Sequence, residues 1–227
     1  MRKTIIKLDN VWKTYKMGHV NINALAGINI DIKEGEFVAV VGPSGSGKST
    51  TMNMIGCLDI PTRGKIYLEQ HDISKLPEST LAQIRGKKIG FVFQAFNLIP
   101  TLTALENVML PMTFQSVPRE IRLNKARDLL IKLGLKDRLN NLPSELSGGE
   151  SQRVAIARSL ANDPEIILAD EPTGNLDSKT GTEIMKLLTN LHEKEHRTIA
   201  MVTHDVSLKR HADRIIYIKD GKNLRGV

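Results

Sequence analysis

Gly42-Pro43-Ser44-Gly45-Ser46-Gly47-Lys48-Ser49-Thr50 is the stretch of the 227-residue chain whose residue types and spacing point most directly to chemistry. It has the glycine, lysine and serine spacing of a nucleotide phosphate loop, with an apolar run before it and a helical run, Thr50 to Leu58, after it. Its glycines let successive backbone NH groups turn toward phosphate oxygens, and the helix start adds the positive end of a dipole. Lys48 brings a charge to the β- and γ-phosphates, and Ser49 brings a hydroxyl to Mg²⁺. Such a loop needs a carboxylate to hold the hydrated metal, and Asp170, closing the apolar run Ile166 to Ala169, supplies it through water. Glu171 is then surplus to the metal. It suits a general base that polarises water for attack on the γ-phosphate.

A second anion site is written into Leu146-Ser147-Gly148-Gly149-Glu150, where a serine and two glycines precede the helical run Glu150 to Leu160. Ser147 can cap that helix, and the glycines form a nest of backbone NH groups. Two γ-phosphate half-sites beside one phosphate loop imply that the second serves a neighbouring copy, which a two-fold head-to-tail pair would complete. His192-Glu193-Lys194-Glu195-His196 matches the two-histidine zinc-protease pattern letter for letter. It closes a helical run, Glu183 to Glu195, among charged neighbours with no third ligand near in sequence, so it reads as a solvated helix end. Cys57 is the only cysteine, which excludes an internal disulfide; it reads as a small buried residue on the helix after the phosphate loop.

These groups must be positioned by strands and helices. Phe37 to Val41, Glu165 to Ala169, Thr198 to Thr203 and Arg214 to Ile218 read as strands buried on both faces, the last running into an Asp220-Gly221 turn. The first three end in polar residues, and in open α/β sheets ligands bind beyond the carboxyl ends of strands. Thr4 to Leu8 and Ile28 to Ile32 read as short strands of an antiparallel flank. Between Gln94 and Asp163 the character turns helical, with Ile121, Leu129, Leu130 and Leu133 at helical spacing over Arg119 to Leu133. The expected fold is one α/β domain: a mostly parallel sheet and antiparallel β flank over about 1–93 and 164–227, with an inserted α-helical subdomain over about 94–163.

Composition agrees with a folded domain. Apolar residues make up 41% and charged residues 25%, and no run approaches the roughly 18 apolar residues of a membrane-spanning helix. The first residues carry no signal-peptide core, and Arg2 stands where a myristoyl site requires glycine; this N-terminus and the lone Cys57 both favour the cytosol. The net charge of +7 is spread along the chain rather than gathered in a block, and no nucleic-acid partner is expected.

The phosphate loop, Gln94, Leu146 to Glu150, Asp170-Glu171, Asn175-Leu176-Asp177 and His204, in that order, resemble the nucleotide-binding subunit of an ABC transporter, with a P-loop NTPase (RecA-like) core. The resemblance covers essentially the whole chain and implies ATP and Mg²⁺ as ligands. It implies that Tyr15 stacks on adenine, and that Gln94 contacts Mg²⁺ and the attacking water while sensing a membrane partner. It further implies that Ser147, Gly148 and Gly149 reach the γ-phosphate across a dimer and that Asp177 connects the two sites. His204, which follows a buried strand and precedes Asp205, would hold the γ-phosphate and orient Glu171. Read singly, Tyr15, Gln94 and His204 say much less; their order makes the difference.

Asn53 to Asp59, Gly90 to Gln94, Phe96 to Pro100, Leu105 to Val108 and Ala169 to Asp177 are similar to the macrolide-exporter and lipoprotein-release subfamily. That implies an ATP-sandwich homodimer on the cytoplasmic face of the cell membrane, working with a transmembrane permease and, in some assemblies, a periplasmic or extracellular adaptor. Glu150 stands where glutamine is commonest in the family, and a carboxylate suits a helix first turn. Some of Met109, Met112 and Phe114 would form a groove for a helix of the membrane subunit. The competing expectation is a soluble ABC-type ATPase acting on nucleic acid or a cytosolic assembly. Against it, no heptad array fills the stretch from Lys48 to Ser147, and the chain holds one cassette.

Overall fold

The computed structural model describes residues 2–204 and 210–224. The chain opens with a long antiparallel pair, β1 (Thr4–Met17) and β2 (Val20–Lys33), followed by β3 (Phe37–Val41), the phosphate loop and α1 (Lys48–Ile55). Next come β4 (Arg63–Leu68), β5 (His71–Asp72), α2 (Glu78–Lys88) and β6 (Ile89–Phe93). Three helices follow, α3 (Ala104–Phe114), α4 (Arg119–Lys132) and α5 (Gly148–Leu160). The chain then runs through β7 (Ile166–Asp170), α6 (Ser178–Glu195), β8 (Ile199–Thr203), β9 (Arg214–Lys219) and β10 (Lys222–Leu224).

Two sheets result, one ordered β2-β1-β4-β5 and one ordered β10-β9-β3-β8-β7-β6. In the second, β9, β3, β8, β7 and β6 run parallel and only β10 turns back. Alternation along the central strands sorts two cores. Val38 and Val40 face the antiparallel sheet with α1 and α2, while Phe37, Ala39 and Val41 face α3 to α6. Each fully buried Ile or Leu in these layers contributes roughly 1.5–3 kcal/mol.

The antiparallel flank is much longer than the short strands expected over Thr4 to Leu8 and Ile28 to Ile32. Register shifts between Leu8 and Val11, with Asn10 at φ 49, break the alternation that would have shown β1 as one strand. The last long helix starts at Ser178 rather than Glu183, because Asp177 caps it through the amides of Lys179 and Thr180. Cys57 lies just past α1, beyond its Gly56 cap, rather than on the helix.

The two sheets are clipped together at their edges. Lys88, at the end of α2, binds both Glu69 and Glu165, and Lys3 binds Glu69 as well. Hydrogen bonds from Lys3 and Lys88 hold the Glu69 carboxyl down at about 2, against an ordinary 4.5. A depressed carboxylate adds stability that is complete above the ordinary value and lost as pH falls through the folded one. Glu69→Gln should therefore cost up to about 1 kcal/mol in urea unfolding at pH 7. Its cost should vanish as the pH is lowered from 4.5 toward 2.

Candidate functional site

Four parallel strands deliver their carboxyl ends to one edge. Val41 of β3 is level with Thr203 of β8, Asp170 of β7 with Val202 of β8, and Phe93 of β6 with Asp170. The residues just past these ends are the phosphate loop, His204, Glu171 and Gln94. The crevice beyond such strand ends is where α/β sheets bind ligands.

The loop leaves β3 at Gly42, where an added Cβ would lie 2.1 Å from the Ile218 carbonyl oxygen. It enters α1 at Gly47, whose φ of 104 and tight approach to the Ala24 carbonyl only glycine tolerates. No side chain caps α1, so its first-turn amides are left for an anion. Lys48 folds back over the loop, its Nζ donating to the carbonyls of Gly42 (2.9 Å) and Pro43 (2.8 Å). Ser46 Oγ is buried without a hydrogen-bond partner, and the space around Gly45 is open. That open space, beside the uncapped amides of α1, suits a phosphate chain.

Asp170 is half-buried at the end of β7. Burial pushes its carboxyl above the ordinary range, the neighbouring Glu171 pushes it further, and Lys48 pulls it back. A desolvated carboxylate beside a second one is a site that a divalent cation neutralises. Its companions, the exposed Ser49 hydroxyl and the Gln94 amide oxygen, are the hard oxygen donors Mg²⁺ takes. Gln94 spends its nitrogen elsewhere: Nε2 donates to Asn175 Oδ1 at 3.0 Å, and Asn175 Nδ2 returns a bond to the Gln94 carbonyl.

Glu171 leaves the strand in the left-handed region, φ 43, with its amide still bonded to Val202. That turn brings its carboxylate to His204, Nδ1 to Oε1 2.8 Å. Nδ1 donates to an ionised Glu171, so Nε2 is the ring atom that remains for a ligand. Asp205 lies outside the described residues.

Tyr15 stands on β1 beside the loop, its hydroxyl donating to Asp59 Oδ2. Ser147 and the glycines after it lie elsewhere. Ser147 caps α5 in a reciprocal box: its Oγ accepts from the Glu150 amide and Glu150 Oε2 accepts from the Ser147 amide. Arg138 binds the other Glu150 oxygen at 2.7 Å, so a glutamate here serves both the cap and an ion pair. Gly148 and Gly149 pack against Leu176 and Thr180, whereas the phosphate-loop glycines meet Ala24, Leu25 and Ile218. The two anion sites of one chain share none of these neighbours. Asp177 caps α6, also bonding Thr180 Oγ1 at 2.6 Å.

The sequence pattern described as ABC transporter matches residues 25–174. The chain belongs to the ABC transporter ATP-binding family. It is an ATP-binding subunit and an ATPase. The cassette is 56% identical over 222 residues to the Methanocaldococcus jannaschii ABC transporter ATP-binding protein MJ0796, covering 96% of this chain and 94% of that one. It is 52% identical over 220 residues to a Thermotoga maritima ABC transporter ATP-binding protein, covering 97% and 94%. The macrolide export ATP-binding/permease protein MacB of Campylobacter fetus is 50% identical over 96% of this chain, which spans 34% of that larger protein. A solved dimer of MJ0796 in a post-hydrolysis state with ADP and Pi superposes with a TM-score of 0.88, at 53% identity over 98% of this chain and all of that one.

Two side chains of the cassette were not singled out from sequence. Gln152, fully buried on α5, donates from Nε2 to the Pro172 carbonyl at 2.6 Å, tying the signature helix to the residue after Glu171. Arg158 donates to the carbonyls of Phe96 and Asn97, just beyond Gln94. The available signal was a polar residue at core spacing on a helix: Gln152 lies three and four residues before the buried Ala155 and Ile156. The histidine pair of the zinc-like pattern is split. His192 lies 3.3 Å from Asp213 and meets the Phe37 ring edge-on, while His196 is the left-handed C-cap of α6.

Proposed function

We propose that this cassette powers efflux or mechanical extraction through a transmembrane permease, closing as a head-to-tail homodimer over two ATP molecules at the cytoplasmic face of the membrane. The observation that carries the dimer is the separation of the two anion sites, since Ser147 to Gly149 pack away from the loop that holds Lys48. Ser49, Gln94 and Asp170 are the residues that would hold Mg²⁺, which when bound offsets phosphate charge and helps orient the γ-phosphate. Gly42 to Thr50 would cradle the phosphates, Tyr15 would carry the adenine, and Ser147, Gly148 and Gly149 of a second copy would close on the γ-phosphate. Glu171 takes the proton of water as its oxygen attacks the γ-phosphorus and the bond to ADP breaks. His204 fixes the Glu171 carboxylate through Nδ1 and as an imidazolium would offer Nε2 to the departing phosphate.

No helix among the described residues is long and apolar enough to cross a membrane. The proposed contact with the permease is a groove of about 360 Å³ lined by Leu58, Phe91, Phe93, Leu110, Phe114 and Arg158. It begins beside Gln94, at the junction of residues 1–93 and 164–227 with the helical stretch 94–163 that we treat as a subdomain. Of the three residues expected there from sequence, only Phe114 lines it, at 76% exposure; Met112 is core, at 1%, and Met109 packs against that core. On α3, Val108 and Met112 share the inner face, while Leu110 and Phe114, also four apart, share the outer one.

Detergent extraction with the tagged cassette should bring down a membrane protein and show ATPase activity stimulated by it. Phe114→Ala should lose most of that stimulation and keep the activity of the isolated cassette. Met112→Ala should instead cost about 2–5 kcal/mol of stability. Full stimulation of the Phe114 variant would remove the groove from the docking site.

A further inference from the structure

Tyr15, the ring proposed to carry the adenine, is held on three sides. Lys13 and Tyr15 are two apart on β1 and so share a face. Both reach Asp59, in the turn beyond α1: Lys13 Nζ lies 2.5 Å from Oδ1, and the Tyr15 hydroxyl lies 2.9 Å from Oδ2. Lys13 also donates to the Ile60 carbonyl at 2.9 Å, and its ammonium sits over the Tyr15 ring, 5.0 Å from the centroid. One face of the ring is therefore covered by a cation and its hydroxyl is pinned, while the residue stays 36% exposed.

Asp59 itself is anchored to the phosphate loop. Gly47 starts α1, and the chain reaches Asp59 four residues after that helix ends at Ile55. Leu58 closes the turn on the Asn53 carbonyl, and Asp59 Oδ1 accepts from the Ile60 amide at 2.7 Å. Thr50, on the first turn of α1, also interacts with the Tyr15 hydroxyl. Burial alone would raise the Asp59 carboxyl, but its bonds to Lys13, Tyr15 and the Ile60 amide hold it below the usual carboxylate range, keeping it an acceptor at neutral pH. The carboxylate thus joins the helix that grows out of the phosphate loop to the strand that bears the ring.

We propose that Asp59 is the positioning residue of the base-binding platform: with Lys13 it sets the tilt of Tyr15 and the ring's distance from the phosphate loop, and so the contribution of the base to nucleotide affinity. This rests on reading Tyr15 as the adenine platform. Among the described residues Asp59 bonds Lys13, Tyr15 and the Ile60 amide rather than the phosphate loop, so its removal should weaken base recognition and spare phosphate recognition.

The test compares binding of ATP and of inorganic tripolyphosphate, which has no base, to the full chain by titration calorimetry with Mg²⁺. Asp59→Ala and Tyr15→Phe should each weaken ATP about three- to tenfold, and the double variant should be no weaker than the worse single one within about twofold. Asp59→Asn, which keeps an acceptor for the hydroxyl, should recover part of the loss. Tripolyphosphate affinity should hold in all of them. Tyr15→Ala should weaken ATP by about ten- to a hundredfold. Equal loss of both ligands in Asp59→Ala, or additive losses in the double variant, would overturn the proposal. If Tyr15→Ala weakens ATP while Asp59→Ala and Tyr15→Phe do not, the positioning role falls and the platform stands. If Tyr15→Ala leaves ATP affinity unchanged, the platform reading falls with it. Tyr15→Phe removes one oxygen from a partly exposed ring, so it reports even where Asp59→Ala folds poorly.

Discussion

Glu171→Gln is expected to bind ATP, dimerise and stop, with hydrolysis reduced by about three orders of magnitude. The substitution is close to isosteric. The glutamine carbonyl can still accept the His204 Nδ1 proton at the 2.8 Å now spanned by the carboxylate, so the strand end keeps its geometry. What disappears is the basic oxygen that takes the proton from water. A negative charge beside the γ-phosphate disappears too, so the ATP-bound state should be held more tightly than in the unaltered chain. Light scattering at saturating ATP and Mg²⁺ should show a stable dimer, and single-turnover measurements should show ATP remaining uncleaved. A Glu171→Gln chain that stays monomeric under those conditions contradicts the sandwich; one that turns over at the normal rate removes Glu171 from the chemistry.

The second large effect is a rescue. Lys48→Ala and Ser147→Arg should each abolish ATPase activity as pure proteins, because in a head-to-tail pair either lesion damages both composite sites. Mixed, they should regain it. In a mixed pair one site carries both lesions, and the other combines an intact Lys48 with an intact Ser147. Random exchange makes about half of the pairs mixed with one good site each, so activity should return toward about a quarter of normal. Recovery requires the two anion sites to act across the interface. Mixtures as inactive as their components would mean that Ser147 serves its own chain, or that both sites must work together. Pairing an unaltered chain with one that carries both lesions separates these: both sites are broken if they act across chains, whereas one site stays whole if Ser147 serves its own chain.

The phosphate loop and the strand ends were legible because their signals are local. A buried strand, a glycine turn and a helix start lie within about a dozen residues, and the carboxylates stand at the end of an unbroken apolar run. The antiparallel sheet was only half legible, since bulges near Asn10 shift the inward face of β1 partway along. Helix α2 was missed, having Leu81 as its one buried residue and hence little apolar period to read. On α3 the apolar residues run nearly all round, so spacing could not say which face met the core and which the groove. The contacts that organise the site are long-range. Tyr15 and Asp59 are 44 residues apart, Gln94 and Asn175 are 81 apart, and no periodicity connects them.

Cys57 bears on how motions of this cassette can be watched. It is 2% exposed, in a tight turn at φ 53, and burial pushes its thiol up to about 12. At neutral pH only about one molecule in 10⁵ would carry the thiolate that alkylating dyes attack. The native sequence is therefore a nearly silent background for thiol-directed probes. A single cysteine introduced beside the signature serine, or on the exposed tip of the β1–β2 hairpin, would report opening and closing by its own fluorescence, with the native thiol left in place.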